Sequence, residues 1–254
     1  MKYILHLAML ILLSQTLFSQ TFNDFLKKGD DYYNKFDLKN AALNYEEAYK
    51  INLKDYNTLL KVTQIYNDLG EDYYEIKDEK DAEIAVNKAV KYAELFASKF
   101  QDSAKVYSLL AMSYGNLGSY KGGNEKIKLA YKIKENAEKS IKKDSNDYLP
   151  YIILSVYNRQ IASLSWFERA FANVFFGKVP DGSLEESEKM MLKALSIQPG
   201  IVIAMFHLSL TYKEMDNEQK EIEWLRKVID APIINFRDKY AKRKAKERLA
   251  ELID

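Results

Sequence analysis

Phe25-Leu26-Lys27-Lys28-Gly29-Asp30-Asp31-Tyr32, followed by Ala41, Tyr45 and Ala48, is the stretch whose reading decides the fold. Phe25, Lys28, Gly29 and Tyr32 share one face of a first helix, and the later three share one face of a second. Gly29, Ala41 and Ala48 are small enough to let the two helices approach, while the aromatics fill the gaps between neighbours. A pair of this size cannot bury its own apolar face, so the pattern predicts further pairs stacked on it.

The further pairs are present. Leu59, Val62, Thr63 and Tyr66 start a second, which resumes at Ala82, Val86 and Ala89; Tyr107, Leu110, Ala111 and Tyr114 start a third. Tyr151, Leu154, Ser155 and Asn158 start a fourth, closing with Met191, Ala194 and Pro199, and Met205, Leu208, Ser209 and Tyr212 start a fifth. This is the tetratricopeptide template, aromatic-x2-Leu-Gly-x2-Tyr and then Ala-x3-Phe, of period about 34 residues. The starts at 25, 59, 107, 151 and 205 exceed that period after the first interval, and insertions are expected to take up the excess. The expectation is an all-α tetratricopeptide-like helical-repeat superhelix over 20–254. Its repeats are expected at about 22–53, 55–99, 103–143, 148–198 and 200–231, with a polar capping helix at 234–253.

Composition removes several chemistries. The 254 residues contain no cysteine and two histidines, and His6 lies in a segment expected to be cleaved. His207 alone supplies neither a Ser-His-Asp triad nor a two-histidine metal site, so no cofactor or metal is expected. An enzyme working through carboxylates alone is the third functional reading. At the amino terminus Met1-Lys2 and the apolar run Tyr3 to Leu13 read as a signal peptide over 1–19, well short of a membrane span of about 20 residues. Export to a periplasm or the exterior is the expected location; an uncleaved membrane anchor is the alternative. Loss of Lys2 leaves 37 basic against 37 acidic residues, which gives no general attraction to nucleic acid or to an anionic membrane.

From about Lys126 onward the match becomes more specific. Leu164-Ser165-Trp166, then Phe176-Gly177-Lys178-Val179-Pro180, then Leu192-Lys193-Ala194 with Pro199-Gly200 stand in order, ahead of Ala231-Pro232 and a charged helix. This half of the chain resembles the regulator of microtubule dynamics family. The resemblance implies a helical adaptor or tether, with microtubule association as the naming activity of the animal members.

Candidate binding residues follow from the fold. Positions one, five and eight after each signature residue are expected to face the groove of the superhelix. In the first three pairs these include Asp30, Tyr33, Gln64, Asn67, Ser108 and Met112, a mixed wall suited to a protein or peptide partner. Leu26 and Asp30 stand where a basic clamp for a chaperone tail places Lys and Asn, which argues against that mode. In the last two pairs Ile152, Val156, Phe206 and Leu210 make the wall apolar. Phe167, Ala170, Phe171, Val174 and Phe175 give an inserted helix one apolar face, expected to cover that half of the groove. A shared apolar pocket with Trp166 and Phe171, carrying a lipid or other apolar small molecule, is the second functional reading. A membrane-dipping or partner-docking helix is the alternative for this segment. The acidic run Glu71, Asp72, Glu75, Asp78, Glu79 and Asp81 lacks calcium-loop spacing and reads as surface. Residues 237–248 carry a net +5, a solvated face or a site for an acidic partner.

Overall fold

The computed structural model describes residues 20–253; the apolar run 3–13 and the expected cleavage point at Ser19 lie outside them. Among the described residues there are twelve helices and no strand. Five antiparallel pairs follow the chain: α1 (20–34) with α2 (Leu38–Ile51), α3 (Tyr56–Glu75) with α4 (Glu79–Lys99), and α5 (Ala104–Gly118) with α6 (Gly123–Lys143). Then α7 (Leu149–Ala162) pairs with α9 (Leu184–Ile197) across the inserted α8 (Trp166–Phe175), and α10 (Val202–Glu214) with α11 (Glu218–Asp230). The last helix, α12 (Phe236–Ile253), packs on both α10 and α11.

Three of the turns inside pairs are copies of one another. Phe36, Lys77 and Asp216 take left-handed backbone angles, with φ of 60°, 62° and 54°. The next residue donates its backbone N–H to the carbonyl of Tyr32, Tyr73 and Tyr212 respectively, closing the first helix, and its side chain then caps the second. This equivalence corrects the register of the second pair. Its signature is Tyr66-x2-Leu69-Gly70-x2-Tyr73, seven residues beyond the reading from Leu59. Seven residues are two helical turns, so both registers present the same face and the apolar spacing alone does not choose between them. The excess length in this pair goes into the helices: α3 and α4 span 20 and 21 residues, against 14 for α2.

The small signature positions are where backbones meet side chains. A Cβ on Gly29 would stand 2.4 Å from the Tyr45 ring, and one on Gly70 would stand 2.5 Å from Val86 Cγ2. Ala41, Ala48, Ala82, Ala89, Ala111 and Ala194 are fully buried at the other crossings. The core is a chain of clusters handed from pair to pair. One example joins Leu59, Phe96, Val106 and Leu109, which tie α3, α4 and α5 together.

The superhelix curves far enough for its end to meet its beginning. Besides covering Val202, Phe206, Leu225 and Val228 with Ala241 and Ala245, α12 touches α3. Phe236 packs on the cluster of the first two pairs, and Lys239 lies over the Phe36 ring at 4.6 Å.

Candidate functional site

The mixed wall divides into accessible and consumed residues. Asp30 stays half-exposed, receiving hydrogen bonds from Tyr45 Oη and Lys61 Nζ, both at 2.6 Å; Gln64 and Met112 are partly exposed on the same wall. Asn67 is fully buried, donating to Ser113 Oγ at 2.9 Å and accepting from Asn116 at 3.0 Å, so it joins α3 to α5. Ser108 is also fully buried and donates to Asp147, joining α5 to the turn before α7. Neither is open to a partner, because this position lies between adjacent first helices of successive pairs.

Tyr33 leads to the most concentrated electrostatic feature. It donates to Asp68 Oδ2 at 2.9 Å, and Arg237 Nη2 of α12 binds the other oxygen at 2.6 Å. Arg237 Nε binds Glu71, which Asn116 also approaches, and Arg243 pairs with Glu75 at 3.3 Å one turn further on. Asp68 is 3% exposed. Burial pushes its carboxyl up and Arg237 opposes that shift; the two carboxylates hold the guanidinium firmly charged against its own burial. The acidic run, read from sequence as surface, and the basic terminal helix, read as a solvated face or a site for an acidic partner, meet here through Glu71 and Glu75. Their opposite signs are the trace of this in the sequence.

The apolar wall is engaged in packing within the fold. Ile152 and Val156 pack with Met191, Ala204, Leu208 and Tyr212, while Phe206 and Leu210 pack with Leu225, Val228 and the α12 residues Ala241 and Tyr240. Arg159 and His207 lie close enough to act on each other's charge. His207 Nδ1 and Arg159 Nε are buried without a hydrogen-bond partner, and burial, with Arg159 and Arg237 adding to it, lowers the imidazole to about 3.

The expectation that the inserted helix covers the apolar half-groove is not met. Trp166 is 82% exposed and Phe171 45%, and α8 packs on α6. Its polar side is the side that is fastened. Ser165 and Glu168 form a reciprocal cap, Arg169 donates to the carbonyls of Ile161 at 2.8 Å and Pro180 at 3.2 Å, and Asn173 Oδ1 accepts from Val179 N at 2.7 Å. Phe176 rests on Gly123 at the start of α6. With these contacts made, the face of Phe167, Phe171, Val174 and Phe175 points outward. A separate polar cleft of about 1120 Å3 lies where the turns before α5 and α7 meet the end of α9, lined by Tyr56, Lys105, Asp147 and Lys193 among others. No group of three metal-ligating side chains occurs among the described residues.

Two of the motifs that carried the family resemblance, Leu164-Ser165-Trp166 and Phe176 to Pro180, flank α8 and take part in holding it, and the resemblance extends beyond them. The sequence profile of regulator of microtubule dynamics proteins 1-3 matches residues 25–253. The chain belongs to this family. The bovine regulator of microtubule dynamics protein 1 is 27% identical over 177 residues, covering 69% of this chain and 56% of the bovine protein. The Xenopus laevis regulator of microtubule dynamics protein 3 is 26% identical over 148 residues, 58% of this chain and 32% of that protein. The chain thus spans about half the length, or less, of these curated relatives. Among solved structures, a thermophilic tetratricopeptide protein of Thermus thermophilus superposes with a TM-score of 0.66 at 13% identity, covering 91% of this regulator-family chain and 98% of its own. That likeness establishes the tetratricopeptide fold.

Proposed function

We propose that this chain is a non-enzymatic scaffold that holds a protein or peptide segment on its concave face, in the half built by α1, α3 and α5. The observation that carries this reading is that the same wall already receives a helix by side-chain ion pairs, Arg237 on Asp68 and Glu71. Beside that contact Asp30, Lys61, Gln64 and Met112 remain accessible. The family's regulator name and the tetratricopeptide fold support an interaction role. His207, half-buried with its Nδ1 shut off from solvent and its imidazole lowered to about 3, is not placed to serve as a general base.

The test is site-specific photo-crosslinking. A photoreactive residue at Gln64 or Met112 should yield discrete adducts with host proteins, and one at Asn87 on the outer face of α4 should not. Equal labelling from all three positions would overturn the groove reading. Export belongs to the same proposal, on the sequence of residues 1–19; intact-mass measurement from the native host should show the loss of about nineteen residues.

A further inference from the structure

The geometry points to α8 as a docking helix for a negatively charged lipid surface. Trp166, Phe167, Val174 and Phe175 are 82%, 69%, 76% and 63% exposed, and the Phe171 ring lies between those of Phe167 and Phe175. Folded proteins seldom leave so contiguous an apolar face in water without a use for it. The helix is no frayed excursion: its reciprocal cap and the Arg169 and Asn173 contacts hold it in one orientation. Pre-ordering of this kind removes the ordering cost that binding otherwise carries.

Composition and charge choose the occupant. Ten helical residues span about 15 Å, a short amphipathic rod fixed by its polar side, and its apolar rings need only enter the headgroup and acyl boundary of a bilayer. The face is Trp- and Phe-rich, the composition of interfacial helices. Lys178, just beyond α8, and Lys126 and Lys128 near the start of the supporting helix α6 are exposed and make no ion pair among the described residues, against Glu125 and Asp181. Glu168 is turned back onto Ser165 as the cap.

Trp166 supplies the probe. In a full-length Trp224→Phe background its emission reports on α8 alone, since the chain has two tryptophans. With phosphatidylcholine vesicles containing phosphatidylglycerol the emission should shift to the blue and the protein should float with the vesicles. Val174→Asp and Phe175→Asp should each reduce the bound fraction at least about tenfold. Because no α8 side chain is buried, both variants should keep the wild-type melting temperature, which separates lost docking from lost folding. Lys126→Glu with Lys178→Glu should weaken binding to the charged vesicles. Absence of flotation and blue shift would overturn the proposal, as would flotation that survives Val174→Asp. A concentration-dependent dimer abolished by the same variants would assign the face to a second copy of the chain instead.

Discussion

At Gly70 the absence of a side chain is a packing requirement. A methyl group there would stand 2.5 Å from Val86 Cγ2, so the stiff β-branched Val86 side chain or the spacing of α3 and α4 would have to shift. Gly70→Ala should therefore cost roughly 1–3 kcal/mol despite the better helix propensity of alanine, and urea unfolding checks it. His207 gives the opposite kind of residue-scale effect, one that depends on pH. Its imidazole is held at about 3 in the fold, against about 6.5 in an unfolded chain. Between those values the unfolded chain takes up a proton that the folded one refuses. The stability it contributes is complete above pH 6.5 and falls as the pH drops, by up to roughly 1.4 kcal/mol per pH unit. His207→Gln should flatten this part of the acid limb. The remaining acid slope belongs to carboxylates such as Glu46 and Glu188, whose hydrogen bonds to tyrosines and lysines lower their pKa values. Difference curves of melting temperature between pH 7 and pH 4 separate the two.

Whole helices show what the sequence makes legible and where it stops. The five pairs are readable because each helix repeats small and aromatic residues on one face, and that spacing is a local property. The apolar spacing does not fix the register of α3, since a two-turn slip preserves the face; the Leu69-Gly70 pair marks it in the sequence, and the turn at Lys77, like those at Phe36 and Asp216, decides it. The orientation of α8 escapes the sequence for a related reason. An apolar face predicts burial unless the opposite face is tied down more firmly, and here Arg169 and Asn173 bind backbone groups of residues 161, 179 and 180. Such side-chain to backbone contacts leave no periodic trace. Arg169→Ala should accordingly lower the helical order of residues 166–175, seen as faster amide exchange confined to that segment. The rest of the fold should keep its protection, since none of the α8 side chains is buried in the core.

The molecule as a whole is a superhelix whose last helix reaches back to its first half, through contacts 169 residues apart in sequence. Two sets of contacts hold α12, and they differ in kind. Ala241, Ala245 and Leu249 cover the apolar end of α10 and α11, as a solenoid cap must. Arg237 and Arg243 instead cross to Asp68, Glu71 and Glu75. The Arg243 pair is largely solvated, so Arg243→Ala should cost under about 1 kcal/mol. In the Arg237 pair the carboxylate end is buried, and removing the cation strands the buried Asp68 carboxylate, which should cost about 3–5 kcal/mol. Arg237→Met together with Asp68→Asn should restore much of that loss, because the carboxylate still without its cation is then Glu71, which is partly open to solvent. Reversing the charge with Arg237→Glu should release the crossing contact while the apolar cap stays in place. Spin labels at Gln64 and Lys246 would then report a broader and longer distance distribution than in the wild-type chain, with helix content unchanged. If the distribution stayed narrow, the apolar packing alone would set the curvature, and the ion pairs would only decorate a ring closed by other means.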